Sequence, residues 1–513
     1  MHLRHLGALL GFVVLAFADA AQQALPTGDT GRQRWDDPPH PDATGHLIFD
    51  TALNLLNHWS NAYHRNGHTV VPVTIPPGTF LYCGRSPRYG PPTPPTTAQW
   101  LALDEDRALS ISGYEGRLFT YMATRELRLL YFDGTSAALI RTGSLDTQDV
   151  IIYGNVSEFH WNDPFQGMFD LCQWAKGYNL DGFVRMDTNF EITYCHFTDG
   201  LELLSDVDVV PCMGSAPKGW VGSLRNTNLL WYEALAAGNW HREPLASIHV
   251  EYSKMISYYN PRYESLVDLR RKVSSRPEHR LLNISASDVQ LSLNDLDDAL
   301  TRAPTARGRE FDWRGLMRHI VEQYADRLQY LQHLVHARDG RPDIGDVECH
   351  DITRLIFDIR QQILTMLAPY ISRASFATLS NGVLNDSWFE QTVDRCSSSH
   401  TAHLNTTRFT PQEHQLTSAV EDTLHEICRT LGVIWQTAYT AESVTSAAAV
   451  DRLIDWLDWA VWQKCSPACS EDYICSLPQY PYDGIYKGTE RATPRCISRL
   501  HWSQPHDPDA PPY

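Results

Sequence analysis

The sequence predicts an α+β first half, an all-helical second half and a disulfide-bearing tail. Three observations carry this. Strand-like runs crowd residues 69–195, apolar residues at helical spacing dominate from about residue 310, and Cys465, Cys469, Cys475 and Cys496 fall close together near the end.

The elements follow in order. Leu47, Ile48, Ala52, Leu55, Leu56 and Trp59 mark a first helix that Gly67 ends. Thr69–Ile75 reads as a strand, Pro76-Pro77-Gly78 as a turn and Thr79–Tyr82 as a second strand. Residues 86–97 are proline-rich and excluded from a sheet interior. Further β-type runs are Leu118–Met122, Leu127–Phe132 and Val150–Tyr153. A helix over 164–177 aligns Phe165, Met168, Phe169, Cys172 and Ala175, and strands follow at Gly182–Arg185 and Phe190–Cys195.

In the second half, Leu316 to Val335 and Ile352 to Leu367 mark two amphipathic helices. Thr410-Pro411-Gln412-Glu413 is a capping box with proline at the first helical position. It opens a helix running through Ile434, and Leu453 to Trp462 continues the helical pattern. The resulting division is a signal peptide at 1–20, a polar leader at 21–42, an α+β unit at 43–235, a connecting region at 236–309, a helical unit at 310–464 and a Cys-rich tail at 465–513.

The address is the clearest functional signal. Arg4 and His5 precede an apolar run from Leu6 to Phe17, and Ala18-Asp19-Ala20 supplies the small residues of a cleavage site. This predicts secretion and an extracellular protein. Four acceptor sequons, at Asn155, Asn283, Asn385 and Asn405, predict N-glycans, and eleven cysteines suit an oxidising compartment. No later run approaches the ~18 apolar residues of a membrane span, and no apolar tail suggests a lipid anchor. A net charge of -18 repels phosphate backbones, which argues against a nucleic-acid partner.

Several chemistries lack their motifs. There is no H-E-x-x-H, no G-x-G-x-x-G and no P-loop, and Gly134-Thr135-Ser136-Ala137-Ala138 lacks the second glycine of a nucleophile elbow. No C-x-x-C pair occurs, and Cys465 and Cys469 have no paired histidines nearby, so no metal site is expected. Carboxylate pairs of the kind hydrolases use cannot be chosen by sequence among 61 acidic residues.

One constellation carries a resemblance. It joins Thr79-Phe80-Leu81-Tyr82-Cys83-Gly84, Trp100-Leu101-Ala102-Leu103-Asp104 with Ala108, and Asn189-Phe190-Glu191-Ile192-Thr193-Tyr194. These segments resemble the ADP-ribosyltransferase fold of the H-Y-E type over residues 70–200. The resemblance implies NAD as cofactor-substrate, Glu191 as the catalytic carboxylate, and Cys83, Gly84 and Trp100 in cofactor binding. Cys83 stands at the family's histidine and Trp100 at its tyrosine. Two of three signature positions therefore depart, which implies weakened or lost activity. If Cys83 replaces a histidine, it is also the natural unpaired thiol. Parity then requires a bridge between the halves, with Cys212 as the candidate. Leu127 to Ala138, with Leu180 to Arg185, is similar to a set of uncharacterised secreted proteins of filamentous fungi.

Three functions follow as expectations. The first is a secreted ADP-ribosyltransferase-like protein using NAD. The second is a non-catalytic secreted glycoprotein that binds a protein or a glycan. The third is a secreted hydrolase.

Overall fold

The computed structural model describes residues 35–87, 92–112, 116–138, 143–156, 164–209, 247–273, 275–303, 311–338, 352–372, 387–439, 444–477 and 493–498. The signal-peptide segment, the Asn385 sequon, Cys212 and Cys349 lie outside them.

A ten-stranded sheet organises the first half. Its strands are β1 (Thr69–Ile75), β2 (Phe80–Arg85), β3 (Gln99–Ala102), β4 (Gly116–Ala123), β5 (Leu127–Phe132), β6 (Gly182–Met186), β7 (Phe190–Tyr194), β8 (Leu201–Val209), β9 (His249–Val250) and β10 (Ile256–Ser257). The order is β10-β1-β5-β6-β7-β3-β2-β4-β8, with β9 also pairing β1. Among these pairs β5 and β6 run parallel. A parallel pair needs a long crossover. Here it carries α4 (Asp146–Tyr153) and α5 (Pro164–Ala175).

The other helices are α1 (Gly45–Leu53), α2 (His58–Tyr63), α3 (Glu105–Ser112), α6 (Glu264–Arg270), α7 (Ala286–Thr301), α8 (Trp313–Arg338), α9 (Ile352–Leu367), α10 (Ser387–Ser398), α11 (Pro411–Tyr439) and α12 (Val444–Leu457). The second half is thus helical as expected. Its tail holds a small hairpin of β11 (Tyr473–Ser476) and β12 (Arg495–Ser498).

The two sheet faces are covered differently. Val70, Leu130, Phe132 and Phe183 pack under α4 to α7, against Val150, Leu171, Leu266 and Leu296. The opposite face presents Val71, Leu81, Leu101, Phe119, Val184 and Ile192. These join one continuous core with Met317, Leu328, Ile363, Leu424 and Val450 of the helical half. The halves therefore share a core and are not packed separately, because a sheet apolar on both faces must bury both.

Several local readings change. Val150–Tyr153 is the end of α4 and not a strand, closed by Gly154 in the left-handed region at φ 67. The first predicted helix is two: α1 and α2 are separated by Leu56, whose φ of 61 no helix tolerates. The Thr410 capping box forms as predicted. Thr410 Oγ1 accepts from the Glu413 N–H at 3.2 Å, and Glu413 Oε2 accepts from the Thr410 N–H at 3.0 Å.

Among the described residues four disulfides form: Cys172–Cys195, Cys396–Cys428, Cys465–Cys475 and Cys469–Cys496. Cys83 is free and buried. No described helix is long and apolar enough to cross a membrane.

Candidate functional site

The sheet register decides where the sequence-predicted residues point. Tyr82 faces Ala102, Ala102 faces Glu191 and Glu191 faces Arg185, giving one row across β2, β3, β7 and β6. Side chains alternate between faces along a strand. Gly84 and Trp100, each two residues along, therefore share the face of Glu191. Cys83 points to the other face and sits in the core with Leu81 and Phe119. Burial pushes its thiol up to about 12. Gly84 and Glu191 also do not lie on neighbouring strands, since β3 runs between β2 and β7. Three of the four predicted residues thus share a face, and Cys83 is excluded from it.

Glu191 is 5% exposed, and both its oxygens are engaged. Oε2 takes Arg107 Nη2 at 2.8 Å, and Oε1 takes Arg185 Nη2 at 3.0 Å. Arg107 also pairs with Asp187 at 2.8 Å. Arg185 Nη1 donates to Gln148 Oε1 at 3.1 Å, and Gln148 Nε2 donates to the Ser136 carbonyl at 2.6 Å. This network ties α3, α4, β6 and β7 together. Both carboxylate oxygens of Glu191 are thus engaged by guanidinium groups. Trp100 packs against Phe165 in a tilted arrangement, with ring centroids 5.0 Å apart, and its indole N–H is buried without an acceptor among the described residues.

A second polar cluster lies at the start of β1 and was not legible in the sequence. Asp50 is 1% exposed and accepts from Arg276 Nη1 at 2.7 Å and from Asn54 Nδ2 at 2.8 Å, with His64 Nε2 at 3.1 Å. Burial alone would raise its carboxyl, but Arg276 and His64 reverse that and hold it below the usual range. Asp133 accepts from the Thr69 N–H at 2.8 Å. Burial outweighs that bond and pushes Asp133 up to about 7. The space between these groups is about 20 Å³, enough for about one water.

A groove of about 850 Å³ opens on the helical side of the sheet edge strand β10. Its walls come from four places: the stretch leading into α1, the segment from Met255 through α6, Asp295 of α7, and the first turns of α11. Its lining mixes apolar side chains such as Ile48, Met255 and Tyr263 with the polar groups of Asn260, Asp295, His414, Gln415 and Asp422. Gln415 Nε2 is buried without an acceptor among the described residues. Asp422 stays open to solvent at the groove, yet the surrounding protein and Glu421 push its carboxyl up to about 6. Gly45 is required beside it, since a Cβ there would lie 2.4 Å from Asp422 Oδ2. A second, smaller cavity of about 260 Å³ adjoins the groove, sharing Asp42, Ala43, Thr44, Val267 and Arg271 as walls.

The family described as the YPL277C N-terminal domain matches residues 112–214. That stretch includes Asp133, Arg185, Asp187 and Glu191, and leaves out Cys83, Gly84, Trp100 and the groove. The chain is 24% identical over 420 residues to the Saccharomyces cerevisiae protein "Uncharacterized protein YPL277C", covering 62% of this chain and 82% of that one. It is 24% identical over 416 residues to "Uncharacterized protein YOR389W" of the same yeast, covering 62% of this chain and 64% of that one. No solved structure matches.

Proposed function

We propose that the protein is a non-catalytic secreted glycoprotein that binds a glycan in the groove between α1, α6 and α11. The observation that carries this is the groove's size and mixed lining: about 850 Å³ of concavity in which amides, carboxylates and a histidine stand beside aromatic and aliphatic side chains such as Tyr263 and Ile48. That volume is in the range of small-ligand sites. A polyhydroxyl ligand needs donors and acceptors in alternation. Asn260, His414 and Gln415 supply both kinds, Asp295 and Asp422 supply acceptors, and Gln415 keeps an amide donor unspent. Exposure of the sequon residues Asn155, Asn283 and Asn405 fits a glycosylated secretory product.

The test is a glycan array with the purified glycoprotein, followed by Gln415→Ala and Asp422→Asn. The expected result is a defined set of bound oligosaccharides, weakened about tenfold or more by either change. An empty array, or binding that both variants leave intact, refutes the reading.

ADP-ribosyl transfer is the second reading. Its support is that Gly84, Trp100 and Glu191 share one sheet face. Engagement of both Glu191 oxygens by arginines weighs against it. Incubation with labelled NAD decides: nicotinamide release that Glu191→Gln abolishes would favour this reading over the first.

A further inference from the structure

The cavity beside the groove is walled by a half-buried cation that has no ion-pair partner among the described residues. Arg270, the last residue of α6, donates Nη1 to the Tyr258 carbonyl at 3.3 Å. Its Nη2 is buried and has no acceptor among the described residues. No described carboxylate lies within ion-pair distance of it. The carboxylates lining the same cavity are committed or peripheral. Asp42 pairs with Arg271 at 2.5 Å. Asp458 accepts from the Tyr63 hydroxyl at 3.0 Å. Asp455 is exposed at the rim.

A second guanidinium faces the same space. Arg276 spends Nη1 on Asp50 and offers Nη2 to Thr51 Oγ1 at 3.3 Å, while its Nε is buried without an acceptor. Both arginines are held in place by one aromatic platform. The Tyr259 ring lies 5.6 Å from the Arg270 Cζ and 6.0 Å from the Arg276 Cζ, and His68 stacks on it at 4.4 Å. His279 completes the wall, its Nδ1 3.3 Å from the Tyr259 hydroxyl. Burial, then Arg270 and Arg276, push this histidine down to about 3, so the cavity's positive charge comes from the arginines.

Leaving a charged donor buried and unmatched is costly, and an arginine fork fits a planar or tetrahedral oxyanion. We infer that the Arg270 cavity is an oxyanion subsite that takes a carboxylate or phosphate group. The cavity shares Asp42, Ala43, Thr44, Val267 and Arg271 with the groove, so one ligand can reach both. Resting on the glycan reading, this makes the groove's ligand an acidic glycan. The subsite itself does not depend on that reading.

The experiment titrates the full-length glycoprotein at low ionic strength with inorganic phosphate, glucuronate and neutral glucose, by calorimetry and thermal shift. Wild type should bind phosphate or glucuronate saturably and glucose far more weakly. Arg270→Gln should weaken the anion about tenfold or more. Arg270→Lys should retain part of it, which separates lost charge from lost fold. Glu202→Gln, on exposed strand β8 and outside both cavities, should leave phosphate binding intact. Binding of phosphate only identifies the group as phosphate, and binding of glucuronate only identifies it as carboxylate. No anion binding by wild type, or equal binding by Arg270→Gln, overturns the subsite. An empty glycan array with Arg270-dependent phosphate binding keeps the subsite and removes the glycan reading.

Discussion

Replacing Glu191 by glutamine separates a structural carboxylate from a catalytic one. The change preserves shape but removes a charge that two arginines share, at 2.8 and 3.0 Å. Arg107 keeps Asp187, whereas Arg185 keeps Gln148 alone among its named partners. The new amide also points an N–H donor at one of two guanidinium donors. The side chain is 6% exposed, so water cannot take over. Breaking a buried pair by removing one partner costs about 3–5 kcal/mol. With an unfolding entropy of about 2.1 cal/mol/K per residue over a chain of 513 residues, that lowers the midpoint by about 3–5 °C. The assay is thermal and urea unfolding followed by circular dichroism, with Glu202→Gln on the exposed strand β8 as control. The control should stay within about 0.5 kcal/mol of wild type. A Glu191→Gln protein as stable as wild type, or more so, would refute the structural assignment and reopen the catalytic one.

Other outcomes follow from the same contacts. Asp133 titrates near 7 in the folded protein against 3.8 ordinarily, so the folded form holds the extra proton between those values. Its contribution to stability therefore falls as pH rises from about 4 to about 7. Asp133→Asn should gain on wild type across that window, and parallel stability–pH curves would contradict this. Thr410→Ala removes the acceptor for the Glu413 N–H and should cost about 1 kcal/mol in urea unfolding, with no loss meaning that the cap is idle. Non-reducing peptide mapping should find Cys83 as a free thiol and Cys212 bridged to the second half. Cys83 in a disulfide would undo that count. Mass analysis from a secretory host should find glycan on Asn155, Asn283 and Asn405, and bare asparagines there would contradict secretion.

Much of the fold was legible because its elements are long and periodic. Leu316 to Val335 and Ile352 to Leu367 fall inside α8 and α9, and the Thr410 box opens α11. Shorter elements were ambiguous for stated reasons. Val150-Ile151-Ile152-Tyr153 is a four-residue apolar run, and periodicity cannot tell a strand from a buried helix end at that length. Strand β8 escaped notice because Glu202, Asp206 and Asp208 are poor strand formers, tolerated here on an exposed edge. The break between α1 and α2 rests on Leu56 in a conformation that sequence does not announce. The site was less legible still. Strand alternation alone places Cys83 opposite Gly84, but the partners of Glu191 come from Arg107 and Arg185 on separate elements. The groove draws on residues near 42, 260, 295 and 415, which only the shared core brings together.

Hydrogen–deuterium exchange, with and without the strongest oligosaccharide from the array, tests the central claim most directly. The account predicts protection at residues 255–271 and 411–422, along the groove walls, with residues 99–104 and 185–191 unchanged. Protection confined to the strands around Trp100 and Glu191 would contradict it and move the binding site to the sheet face.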